Sequence, residues 1–203
     1  PDAVKATQSG AFAFLTKPVE KDRLLEEVGR ALKTSGFSDE TTDDWRAEFA
    51  TRSPLLEDRL AKAHMVASSD ASVLISGEPG TGKELLAKAI HRASGRRGGP
   101  FVAVDCDGLD ATTGEAELAA ALERARGGSI LLRNVDELLP SLQSRLDRQL
   151  TGGDVRVIAT TDWRSEDVAA DARASEELLD RLAAVHVDLP PLSKRREDVP
   201  LLV

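Results

Sequence analysis

"SVLISGEPGTGKELLAKAIHRAS", residues 72–94, decides the fold. Ser72 to Ser76 is a short apolar run. Gly77 to Glu84 is a turn rich in glycine, and residues 85–94 have helical character. Strand, glycine loop and helix in immediate succession open a parallel αβ unit. Outward from it the alternation continues. FVAVD (101–105) reads as a strand, a helix is expected around 115–125, and a strand at 129–132. A helix around 140–150 and the strand VRVIATT (155–161) follow. This order predicts a parallel sheet with helices on both faces. Before it, PLLEDRLAKAHMVA (54–67) is a helix with proline in its first turn.

Gly77, Glu78, Pro79, Gly80, Thr81, Gly82 and Lys83 match the G-x-x-x-x-G-K spacing of a phosphate-binding loop, and Glu84 and Leu85 lead into the helix. Glycines let backbone N–H groups approach phosphate oxygens, and the helix presents its positive end to the same place. Lys83 adds a mobile point charge for the outer phosphates. The expected ligand is ATP or ADP. The alternative is a glycine-rich turn that outlived its site. Glu84 stands where the general motif has a metal-holding Ser or Thr, so Mg²⁺ is expected to be weakly held.

Nearer the start, AFAFLTKP (11–18) reads as a strand ending at a proline, and EKDRLLEEVGRALK (20–33) as an amphipathic helix. Together they are too small to bury a core. The polar, acidic stretch that follows, TSGFSDETTDDWRAE (34–48), reads as a linker.

The chain has 203 residues, of which 31% are charged and 41% hydrophobic, the balance of a soluble domain or a domain and a fragment. Its net charge of −8 argues against DNA contact within this chain. The basic run Lys194-Arg195-Arg196 is followed by Glu197 and Asp198 and reads as a solvated turn. No apolar run reaches the ~20 residues of a membrane helix. Cys106 is the single cysteine, expected to be a small packed residue near a strand end. A cytoplasmic protein is expected.

Taken in order, these motifs resemble the NtrC-like response regulators that activate sigma-54 RNA polymerase. AFLTKP (13–18) looks like the last strand of a receiver domain, with Phe14 as its aromatic switch residue and Lys17 as its phosphoryl contact. GEPGTGKE is similar to that family's Walker A loop, which also has glutamate after the lysine. VRVIATTD (155–162) resembles the sensor I strand, with Asp162 where asparagine is usual. LLDRL (178–182) and LPPLSKRREDVPLLV (189–203) resemble the segments that follow. The resemblance implies an α/β P-loop AAA+ domain, a three-layer parallel sheet, preceded by the last strand and helix of a flavodoxin-like receiver. It divides the chain into residues 1–35 (receiver end), 36–50 (linker) and 51–203 (AAA+ domain, C-terminally incomplete). It also implies transcription regulation, a cognate histidine kinase, homo-oligomerisation, and a DNA-binding domain, if there is one, beyond Val203.

The departures are specific. Aligned without a gap, GGSILLRNVDELLPSLQ (127–143) places Arg133 and Asn134 on the Walker B aspartate and glutamate. No GAFTGA sequence, the part that touches sigma-54, lies between the Walker motifs. Of two interface arginines Arg181 matches one, a candidate trans finger, while Ser175 stands at the other. Losing a general base typically costs ~10²–10⁴ in rate, so weak or no hydrolysis and no polymerase remodelling are expected. Arg133 either replaces part of the metal's charge at the phosphates or simply reaches solvent or a nearby carboxylate. Two rivals stand beside this: an active ATPase whose acid is repositioned to Asp136 or Glu137, and an interaction module independent of nucleotide. The acidic pair is more simply the start of the next helix.

Overall fold

The computed structural model describes residues 45–46, 48–150, 154–162 and 175–202. The chain divides into two compact units, 1–44 and 45–203, and the described residues belong to the second. The strand and helix expected at 11–18 and 20–33, with Phe14 and Lys17, lie outside them.

The described elements run α1 (Pro54–Ala67), β1 (Val73–Ser76), α2 (Lys83–Arg92), β2 (Phe101–Asp105), α3 (Gly114–Arg124), β3 (Ser129–Arg133), α4 (Pro140–Leu150), β4 (Arg156–Thr161), α5 (Glu176–Leu182) and β5 (Val185–Asp188). Each helix and strand expected between 54 and 161 forms. The five strands are parallel, in the order β2-β3-β4-β1-β5. α5 and β5 carry only short apolar patterns, and sequence periodicity does not single them out.

Alternation along the strands builds the three layers. Val73, Ile75, Leu131, Ile158 and Val187 face Leu56, Leu60, Leu86 and Ile90 of α1 and α2. Leu74, Ile130, Leu132 and Ala159 face the other way, against Leu118 of α3, Leu142 and Leu146 of α4, and Leu178 of α5. Each buried leucine, isoleucine or valine among them contributes roughly 1.5–3 kcal/mol.

Two polar devices hold the edges. Arg156 is buried at the start of β4 and donates from Nη1 to the Ala67 carbonyl and from Nη2 to that of Val66, both at 2.9 Å. It thereby caps the C-terminal carbonyls of α1, where a cation is also favoured by the helix dipole. Asp198 is fully buried and accepts from Thr51 Oγ1 (2.7 Å), Arg52 N (2.6 Å) and Ser53 N (3.2 Å), tying the entry of α1 to the chain's last described turn.

Three expectations change. The stretch read as linker contains packed residues: Trp45 is buried and stacks on His64 at 4.8 Å, and Phe49 packs on the same core. Acidic neighbours mask these aromatics in composition. Arg195 is buried, while Lys194 and Arg196 on either side are exposed, because the backbone there forms two short 3₁₀ turns that aim one side chain inward. Asp136-Glu137 belongs to a separate 3₁₀ turn, Val135–Glu137, and not to α4.

Asp198→Ala leaves two backbone N–H groups and the Thr51 hydroxyl without their acceptor. It is expected to lower the unfolding free energy by about 2–4 kcal/mol in urea titration, with the m-value unchanged.

Candidate nucleotide site

The glycine loop joins the end of β1 to the first turn of α2. Gly82 has φ 100° and Gly77 is pressed so closely that an added Cβ would lie 2.9 Å from the Leu189 carbonyl oxygen and from Thr81 Oγ1. These positions need glycine for conformation in one case and for space in the other. Thr81 closes the turn, donating from N (3.2 Å) and Oγ1 (2.8 Å) to the Glu78 carbonyl. Pro79 and Gly80 are exposed at the tip, and Leu85 is half-buried on α2.

Lys83 points back into this loop. Its Nζ donates to the carbonyls of Gly77 (2.7 Å) and Glu78 (3.1 Å) and pairs with Asp162 Oδ1 at 2.7 Å. An ammonium has three protons, and three acceptors engage them. Asp162 reaches Lys83 because β4 lies beside β1 in level register, Ser76 opposite Thr161. The expected sensor residue and the loop lysine are thus in direct contact.

Arg133 lies one strand further out. The register of β2 and β3 sets Asp105 beside it, and Nη2 is 3.3 Å from Asp105 Oδ2. Nη1 is 3.4 Å from Glu84 Oε2. The guanidinium therefore spans two carboxylates, one on the loop helix and one on the neighbouring strand. Glu84 is held below the ordinary carboxylate range, first by Lys88 one turn on and then by Arg133. Asn134 has φ 50°, a left-handed conformation that asparagine tolerates. This turns the chain out of the sheet, with the Asn134 N–H 3.4 Å from Thr160 Oγ1 and its Nδ2 3.5 Å from Asp105 Oδ1.

That turn brings Asp136 under the end of β4. It is buried, and burial pushes its pKa up, against a hydrogen bond from Thr161 and with Glu137 and Asp162 adding negative charge. Its Oδ1 has no partner. Thus the acidic residue three positions past Arg133 comes near Asp162 through a turn, not by continuing a strand.

The remaining expected site residues lie apart. Arg181 of α5 pairs with Asp147 of α4. The Ser175 hydroxyl accepts from Leu178 N at 3.3 Å, a helix-capping contact at the start of α5. Cys106 is buried and its thiol is pushed up to about 12, chiefly by that burial, so it is no nucleophile at neutral pH. His91 bonds Ser129 and His186 bonds Ser76. Among the described residues no group of three His, Cys, Asp or Glu side chains is placed to hold a metal ion.

Three contributors carry no motif. Arg195 donates from Nη2 to the Thr81 carbonyl at 3.1 Å and so braces the loop from behind. Phe49 lies against Gly82. Asp105 receives Arg133. Only the place of Asp105 at a strand end hinted at a role. Beside Gly77 and Glu78 a cavity of about 200 Å³ opens between Leu55, Leu189, Pro190 and Pro191.

Comparison with known proteins agrees with this architecture. Residues 49–121 match the model of the Sigma-54 interaction domain. The transcriptional regulatory protein GlrR of Escherichia coli is 39% identical over 230 residues, covering 100% of this chain and 51% of the relative. The E. coli regulatory protein AtoC is 36% identical, covering 98% of this chain and 51% of its own. The chain spans about half the length of the curated relatives it matches. Among solved structures, NtrX from Brucella abortus in complex with ATP superposes with a TM-score of 0.70 at 35% identity, over 99% of this chain and 52% of NtrX. The P-loop NTPase domain of the Sigma-54 transport activator from E. coli, 23% identical, shares the fold with a TM-score of 0.58 over 70% of this chain and 99% of that one. The chain is similar to the NtrC-like sigma-54-dependent response regulators, and its parallel sheet with the glycine loop has the AAA+ fold.

Proposed function

We propose that this chain is the ATP- or ADP-binding AAA+ module of a two-component response regulator in the cytoplasm, with weak or no hydrolysis and no remodelling of sigma-54 polymerase. The observation that carries it is the pairing of an intact loop with an altered strand end. Lys83 stands within the glycine turn at the N-terminus of α2, while the end of β3 presents a guanidinium. NtrX, 35% and 33% identical, was crystallised with ATP and with ADP, which supports nucleotide as the ligand. The cavity beside Gly77 is suited to the nucleoside.

Hydrolysis needs an acceptor for the proton of the attacking water. Arg133 cannot accept one, and Asn134 is a poor base. The polymerase-contacting loop would have to emerge between the two Walker segments. There the connections are short, 93–100, 106–113 and 125–128, and the pairing with GlrR runs over 230 residues against 203 here, so that relative holds residues with no counterpart in this chain. Regulation would come from a histidine kinase acting on the receiver to which residues 1–35 would belong, with 36–50 as linker. Arg181 would act as a trans finger only in a homo-oligomer.

Titration of a fluorescent ATP analogue into the chain is expected to show saturable binding that Lys83→Ala abolishes, with phosphate release at background. Release that Lys83→Ala removes would establish a working ATPase. An unchanged melting temperature at ATP concentrations about 100 times a typical Kd, where ~2.7 kcal/mol of stabilisation is due, would favour a nucleotide-independent module.

Asp162 competes with phosphate for Lys83. Asp162→Asn is therefore expected to tighten nucleotide binding by about tenfold, and unchanged affinity would show that the pair opens freely.

A second reading has its own observation, the buried Asp136 carboxylate near Asp162, whose Oδ1 has no hydrogen-bond partner. With its folded pKa raised above 3.8, Asp136 binds protons more tightly in the folded state, so stability falls as pH rises between 3.8 and the raised value. Asp136→Asn should thus be more stable than the parent at pH 7, with the gain shrinking as the pH is lowered. If Asp136 is instead a substitute base, the same variant removes phosphate release.

A further inference from the structure

P-loop hydrolases hold their divalent metal between the residue after the loop lysine and a carboxylate at the end of a neighbouring strand. In this chain those two places are Glu84 and Arg133, and they are joined to each other. Arg133 Nη1 is 3.4 Å from Glu84 Oε2, and Nη2 is 3.3 Å from Asp105 Oδ2. Both carboxylates that a metal ion would recruit are engaged by one guanidinium.

This donor set does not suit Mg²⁺. Mg²⁺ requires oxygens at about 2.0–2.1 Å in an octahedron. A dication at that distance from Glu84 or Asp105 would have to displace a cation from both and then stand beside it. Among the described residues no third acidic or histidine ligand completes such a site.

The guanidinium, by contrast, has donors to spare. Two of its nitrogens meet carboxylates. Nε is buried and has no acceptor, and the side chain as a whole remains 39% exposed. Arginine offers five N–H groups in a fixed fork suited to phosphate oxygens. Lys83 lies on the same loop helix, adjacent in sequence to Glu84, with its own charge balanced by Asp162.

We propose that this site takes its nucleotide as the free polyphosphate anion, without a divalent metal, and that Arg133 is the residue that sets this preference. Glu84 and Asp105 hold the guanidinium in place, and its remaining N–H groups supply the charge and the hydrogen bonds that a metal ion supplies elsewhere. Magnesium then acts against binding, because it withdraws the free anion and brings a second cation to an already cationic position. This proposal rests on nucleotide occupying the loop and names the ionic form in which it does so.

The test is calorimetric titration of ATP into the intact chain, once with excess EDTA and once with excess Mg²⁺, with Lys83→Ala as the control for binding at the loop. The expected result is affinity in EDTA tighter than in Mg²⁺ by about tenfold. Arg133→Asp should reverse that order, since it restores a carboxylate at the strand end. Should three neighbouring carboxylates prevent that variant from folding, Arg133→Gln serves. It should weaken metal-free binding by at least about tenfold and remove the difference between the two conditions. Binding that Lys83→Ala abolishes but that requires Mg²⁺ in the parent chain overturns the metal-free site and leaves nucleotide binding standing. No binding in either condition overturns both.

Discussion

The Lys83 ammonium is the charge around which the site is arranged. It takes two acceptors from its own loop and the third from Asp162 at the end of β4. The first two require the turn that Gly77 and Gly82 allow. The third requires β4 to lie next to β1 with their ends level. Changing the strand order would leave the same loop without its counter-charge. Arg195 and Phe49 brace the loop from segments far apart in sequence, which ties its shape to the packing of the chain around it.

Further along the same row of strand ends, the charges alternate in sign. β3 ends in a cation, and carboxylates stand on either side of it, on α2 and on β2. Each of these pairs is partly open to solvent, so each contributes little stability, about 0–1 kcal/mol. Their importance is positional: the cation occupies the place between loop and strand, and the carboxylates lock it there. Asp136 shows the opposite case. It is buried without a full set of partners, and its environment favours the neutral acid.

Sequence patterning revealed the elements from α1 to β4, because apolar alternation and glycine punctuation are strong there. It missed α5 and β5. Their patterns are short, and β5 becomes a strand because β1 offers it an open edge. It also misjudged Trp45 and Arg195, since local composition describes the neighbourhood and not where one side chain points. The solvated-turn expectation holds for Lys194 and Arg196 on either side of Arg195.

For the site, the loop was legible residue by residue, since phosphate-binding geometry demands particular residues at particular spacings. The place of Arg133 and Asn134 at a strand end was legible too. What Arg133 does there was not. Two outcomes were open, solvent or carboxylate against phosphate, and only the register of β2 with β3 and the approach of α2 decided which groups it meets. The fate of Asp136 was likewise decided by the left-handed turn at Asn134. The sequence by itself determined the parallel αβ order and the presence of a phosphate loop, through local patterns that need no partner. The tertiary structure alone decided which charges face one another across that loop, because parallel pairing brings together strand ends that lie far apart along the chain.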